Sequence, residues 1–286
     1  MPPIVNASTA FGGDLRHLRD IQGMSSHHIN PHALLAPSAR LLIERIARAG
    51  RPPMEALTPQ QAREFYNIGG PMLDLTPAPK VDRVVELTVP VSGGHACPAR
   101  LYAPHSERPL PVLLYLHGGG FTVGSLGTHD VLCRQLSRQG HFAVVSLDYR
   151  LAPEYRFPTA LHDAWDALNW LKAKGAALGL DISRMAIGGD SAGGTLSAVC
   201  ALMARDARLP LRLQLLFYPG CTGRSNLPSH HTFGKGFLLD TPTIEWFFDH
   251  YIDESERDDW RFAPLNAPDH SGVAPAWIGL AECDPL

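Results

Sequence analysis

Short apolar runs alternate with stretches of helical period between residues 112 and 217. Val112-Leu113-Leu114-Tyr115-Leu116, Phe142 to Leu147, Met185 to Gly188 and Leu211 to Phe217 are continuous apolar runs, as in strands covered on both faces. Between them, Val131 to Arg138 predicts a modest helix. Ala160 to Lys174 predicts a clear one, with Leu161, Ala164, Trp165, Leu168 and Leu171 on one face. Leu196, Val199, Cys200 and Met203 recur at helical spacing over Thr195 to Arg205. This alternation predicts an α/β fold, a mostly parallel central sheet with helices on both faces.

Upstream, Val84 to Val89 and Ala99 to Tyr102 flank Ser92-Gly93-Gly94 and read as a short hairpin-like pair. Ala39, Leu42, Ile43 and Ile46 mark an amphipathic helix that ends at Gly50 and Pro52-Pro53. A second helix starts at Thr58, with Pro59 suited to the first helical position and Gln61 completing a capping box. Residues 1 to 30 have no period and predict a flexible or loosely packed arm. After Pro219 the strand–helix pattern stops. Residues 220–262 are turn-rich, then helical around Thr243 to Tyr251, and strand character resumes at Ala276 to Leu280. The expected organisation is an N-terminal arm and cap helices over 1–75, a core over 76–219, a cap insertion over 220–262 and a last piece of core over 263–286.

Composition narrows the functional classes. Lys and Arg number 25 against 28 Asp and Glu, with no basic cluster of the kind that binds nucleic acid. No apolar stretch approaches a membrane span, and Met1 to Asp14 lacks the pattern of a secretory signal. The five cysteines are scattered without metal spacing or a disulfide framework, so the expectation is a cytoplasmic protein.

Two motifs carry chemistry. Gly189-Asp190-Ser191-Ala192-Gly193 has the pattern G-x-S-x-G between a strand and a helix. A side chain at so sharp a turn needs a strained backbone and small neighbours, and the helix N-terminus faces any negative charge formed there. The plainer reading is a Gly-rich turn that does no chemistry. The second motif, His117-Gly118-Gly119-Gly120-Phe121, follows the strand 112–116. Its unobstructed N–H groups at Gly119 and Gly120, with that of Ala192, form a candidate oxyanion hole around the candidate nucleophile Ser191. His117 reads as a residue that fixes this loop.

With Tyr149-Arg150-Leu151-Ala152-Pro153-Glu154 and Asp284-Pro285-Leu286, these segments resemble the hormone-sensitive-lipase-like α/β-hydrolases, the bacterial family IV carboxylesterases. The resemblance implies an α/β-hydrolase core with a helical cap, Ser191 as nucleophile and Asp284 as the acid of a triad. It implies a supporting role for Asp190, a loop-tying role for Tyr149–Glu154, and short to medium acyl esters as substrates. The acyl-transfer chemistry this entails needs no metal or cofactor. Phe121, Phe233, Phe237, Leu238, Trp246 and Phe247 are candidates to line the substrate pocket, each also readable as plain cap core.

The chain departs from the family in one respect. No histidine follows Asp284, and His230, His231, His250 and His270 read as surface or cap residues. The expectation is a longer parent polypeptide that supplies the base together with a last strand and helix. The 286-residue form is then expected to be impaired and prone to aggregate at an uncovered edge strand, unless a partner chain covers it in a homodimer. A receptor-like small-molecule binder of the same fold, and an amidase or lactonase, remain open alternatives.

Overall fold

The computed structural model describes residues 30–72 and 77–286, and the arm expected over residues 1 to 30 lies almost wholly outside them. Seven strands form one sheet: β1 (Arg83–Val91), β2 (His95–Ala103), β3 (Leu110–Leu116), β4 (Ala143–Leu147), β5 (Leu180–Asp190), β6 (Leu213–Phe217) and β7 (Ala276–Gly279). Their order is β1-β2-β4-β3-β5-β6-β7. β2 is antiparallel to both its neighbours, and every other pair is parallel.

The helices α3 (Asp130–Gly140), α4 (Thr159–Lys174) and α5 (Ala192–Asp206) cover the two faces. Because side chains alternate along a strand, β3 divides its apolar residues between two cores. Val112, Leu114 and Leu116 join Leu161, Leu168, Leu196 and Val199 from α4 and α5. Leu113 and Tyr115 join Tyr102, Cys133 and Val144 on the α3 side. Each β3 residue from Val112 to Leu116 is at most 2% exposed, and burying such a side chain is worth roughly 1.5–3 kcal/mol.

Above the C-terminal ends of the parallel strands lie α1 (Pro37–Arg48), α2 (Pro59–Met72), α6 (Pro228–Phe233) and α7 (Thr241–Tyr251). The capping box is present: Thr58 N–H donates to Gln61 Oε1 at 3.0 Å and Gln61 N–H to Thr58 Oγ1 at 3.3 Å. The N-terminal segment meets the segment after β6 where Thr243 Oγ1 donates to Glu55 Oε2 at 2.7 Å and where the rings of His32 and Phe237 stack at 4.5 Å.

Three differences from the sequence reading have local causes. β5 begins at Leu180, because polar Asp181, Ser183 and Arg184 mask a stretch that reaches β3 across a register shift. α5 begins at Ala192, since Gly193-Gly194 hides its first turn from a propensity argument. The six-residue α6 is too short to show a period.

Candidate active site

Ser191 stands alone between the end of β5 and the start of α5, with φ 50° and ψ −121°. That is a costly conformation for a residue with a Cβ, and the surrounding packing holds it. A Cβ on Gly189 or Gly193 would overlap the Leu116 carbonyl oxygen, so the turn can press against the end of β3 only with glycine at both places. Ser191 N–H donates to Phe217 O at 2.9 Å, and Ser191 O accepts from Thr195 N–H at 3.0 Å.

The loop after β3 faces this turn. Gly119 has φ 125°, and a Cβ there would overlap the Val123 carbonyl. His117 is fully buried and stacks on Tyr149 with ring centroids 4.3 Å apart. Its Nδ1–H donates to Gly118 O at 2.9 Å. Burial, reinforced by the neighbouring His129, pulls its pKa down to about 4, so the ring is neutral. It therefore shapes the loop, as the sequence reading had it. Tyr149 O–H donates to His117 O at 2.7 Å, and Ala152 N–H to Phe121 O at 2.9 Å, so the Tyr149–Glu154 segment fastens both ends of the loop.

Asp190 joins the two Gly-rich segments. Its Oδ1 accepts from Tyr115 O–H at 2.7 Å and from Gly118 N–H at 3.0 Å, and the His129 Nε2 lies 3.2 Å from it. Burial alone would raise the Asp190 pKa, but the hydrogen bonds from His129 and Tyr115 outweigh it and hold the carboxyl below its ordinary range. Sequence reasoning missed Tyr115 and His129. A tyrosine inside an apolar strand reads as packing, and a lone histidine before a helix carries no spacing signal.

Above these loops opens a cavity of about 790 Å³, with Ser191, Gly119, Gly120 and Ala192 in its wall. Of the aromatic and apolar candidates, Phe121, Leu238 and Phe247 stand in its wall. Phe237 and Trp246, expected as substrate contacts, and Phe233 are not among the lining residues. Phe237 is drawn away by its stack on His32 and its edge contact with Phe233, and Trp246 packs against Phe247 and His250. Tyr66, Tyr218 and Ile244 line the cavity as well; Tyr66 and Ile244 are single residues with nothing in the sequence to single them out, and Tyr218 belongs to a Tyr218-Pro219 pair that weakly echoes the family.

Asp284 is half-buried, and its Oδ1 accepts from Leu286 N–H at 2.9 Å. Burial raises its pKa. Its neighbour Leu286 reaches the cavity wall, and no histidine does so among the described residues. His270 donates from Nε2 to Pro264 O at 2.8 Å, and His250 from Nδ1 to Trp246 O at 2.7 Å. His231 is exposed. His230 is buried in α6, accepts at Nδ1 from Leu227 N–H at 3.3 Å, and feels the charge of Asp284. Among the described residues, no group of three or more His, Cys, Asp or Glu is arranged to hold a metal ion, and no helix is long and apolar enough to cross a membrane.

Known proteins resemble this chain over most of its length. A family profile described as the alpha/beta hydrolase fold matches residues 113–286. An ethyl acetate hydrolase of Pseudomonas putida is 40% identical over 252 residues, 86% of this chain and 79% of its own length. The carboxylic ester hydrolase LipN of Mycobacterium tuberculosis is 43% identical over 220 residues, 73% of this chain, and the match spans 58% of LipN. Among solved structures, a hyperthermophilic esterase from the archaeon Pyrobaculum calidifontis superposes with a TM-score of 0.83 at 35% identity, covering 88% of this chain and 81% of the esterase.

Proposed function

This chain belongs to the α/β-hydrolase family, in its hormone-sensitive-lipase-like branch, and from that premise we propose that it is a serine carboxylesterase acting on short- to medium-chain acyl esters. The observation that carries the reading is Ser191, strained at φ 50° in the cavity wall opposite Gly119 and Gly120. Ser191 Oγ attacks the ester carbonyl, and the oxyanion that develops is met by the N–H groups of Gly119, Gly120 and Ala192. Fixed donors of this kind are worth about 2.7–4 kcal/mol each in the transition state. Collapse of the tetrahedral intermediate expels the alcohol and leaves an acyl group on Ser191. Water then attacks the acyl carbon, and the acid departs with Ser191 regenerated.

An imidazole must take the Ser191 proton and return it to the leaving oxygen, with Asp284 orienting the ring. The described cavity lining contributes no such ring, so the reading assigns that role to a histidine outside it. The apolar wall formed by Phe121, Leu238, Ile244 and Phe247 supports an acyl chain of short to medium length.

The test is a fluorophosphonate probe together with a panel of p-nitrophenyl acyl esters. Labelling at Ser191, lost in Ser191→Ala along with turnover, is the expected result. A protein that binds an unreactive ester analogue but neither labels nor turns over would instead be a small-molecule binder of the same fold.

A further inference from the structure

Arg63 lies on α2, in the cap and 128 positions before Ser191, yet its guanidinium reaches under the oxyanion loop. Nε–H donates to Thr122 O at 2.9 Å, and Nη2–H donates to Ala152 O at 2.6 Å. The same group forks onto Glu154, with Nη1 3.0 Å from Oε1 and Nη2 2.5 Å from Oε2. One side chain thus joins a cap helix, the loop after β3 and the Tyr149–Glu154 segment.

The peptide bond makes this contact matter for chemistry. A peptide unit is planar and trans, so fixing the carbonyl of one residue aims the N–H of the next. Gly119 O accepts from Thr122 N–H at 3.0 Å and from Val123 N–H at 2.9 Å, which aims the N–H of Gly120. Thr122 also closes the loop from its side chain, Oγ1 donating to Gly120 O at 3.1 Å. Thr122 is therefore the post on which the Gly119–Gly120 peptide is hung, and Arg63 holds that post from outside.

The remaining cap contacts converge on the same loop. Asn67, one helical turn after Arg63, accepts at Oδ1 from Ser125 Oγ at 3.1 Å. Ala62, beside Arg63 in the chain, packs with Val123 and Phe247. A Cβ on Gly120 would overlap the Phe247 ring, so α7 also presses on this loop.

We propose that Arg63 is a positioning residue for the oxyanion hole, so that docking of α2 on the core and aiming of the Gly120 N–H are one event. This rests on the esterase reading above. Glu154 is 56% exposed, so its ion pair with Arg63 is screened and contributes little; the two carbonyl contacts carry the effect. A misaimed donor is felt in the transition state and hardly in the ground state.

The test compares Arg63→Lys, Arg63→Met and Glu154→Gln with wild type in the complete protein, for kcat and KM on a short acyl ester, rate of Ser191 labelling by a fluorophosphonate, and thermal midpoint. Arg63→Lys and Arg63→Met are expected to lose about tenfold or more in kcat and in labelling rate, with KM within about twofold. Glu154→Gln is expected to stay within about twofold of wild type on both. Arg63 variants that melt earlier but label and turn over at the wild-type rate would overturn the proposal, as would a rise in KM alone. A Glu154→Gln loss equal to that of Arg63→Lys would also overturn it, in favour of the ion pair. Turnover retained by Ser191→Ala would instead overturn the esterase reading, and the labelling arm separates the two failures.

Discussion

The floor of the site and its roof are held by different physics. On the floor, every residue from Val112 to Leu116 is nearly inaccessible, and Asp190, Tyr115, His117 and Thr122 are buried and hydrogen-bonded to neighbouring core and loop groups, with Arg63 reaching down from the roof to the Thr122 carbonyl. In the roof, α1 buries no residue at all, and Leu41 and Ile68 are 57% and 66% exposed. Tightly packed interiors have two arrangements or none, whereas an exposed amphipathic helix can shift by small steps. The molecule places the atoms that must be positioned to fractions of an ångström on the first kind of ground. It places α1, whose Arg45 and Ile46 line the cavity, on the second.

Four substitutions sharpen or break that contrast. Ser191→Ala should lower kcat by about 10⁴-fold or more while leaving the thermal midpoint nearly unchanged, read by ester turnover beside a melting curve. Gly119→Ala should lower kcat by about 10²–10³-fold, because the added Cβ would meet the Val123 carbonyl and turn the neighbouring donor. A KM effect without a kcat effect would place the oxyanion hole elsewhere.

The third concerns acid. His117 has its folded pKa lowered from 6.5 to about 4, so the unfolded chain takes up this proton first as pH falls. Stability is then lost between pH 6.5 and about 4, by about 3 kcal/mol at most, and changes no further from this group below that. His117→Asn should flatten that part of the stability–pH curve, measured by denaturant titration at several pH values. An unchanged slope would assign the acid sensitivity to other groups.

The smallest effect belongs to the roof. Arg48→Ala removes an exposed i,i+4 pair with Glu44 and should change stability by about 0.5 kcal/mol or less, with wild-type turnover. An Arg48→Ala loss comparable to Gly119→Ala would end the distinction between floor and roof.

Much of the floor is legible in the sequence. The runs at 112–116 and 185–188 are apolar on both faces because both faces are covered, and the glycines at 119, 189 and 193 stand where a Cβ cannot fit. Constraints that strict leave a mark on the letters. The roof was legible only in outline. The helices over Pro37–Arg48 and Pro59–Met72 follow from their spacing and cap, but which cap aromatic turns inward does not. Phe237 and Trp246 have the same character as Phe247, and only their neighbours His32 and His250 decide which ring faces the cavity. Arg63 was illegible for a different reason. Its partners are backbone carbonyls, which any residue supplies, so no complementary letter exists to be found.

The strand order has a consequence for the life of the chain before it is an enzyme. β1 and β2 form a local hairpin, but the outer edge of β2 belongs to β4, and β3 enters between β4 and β5. A ribosome making about 5–20 residues per second needs roughly two to nine seconds to go from Ala103 to Leu147. For that interval the nascent hairpin has an apolar face and an open edge, with the strand that closes it not yet made. The order that seats β4 between β2 and β3 at the end leaves both of them waiting for it at the start, and that window is where a holding chaperone would act on this polypeptide.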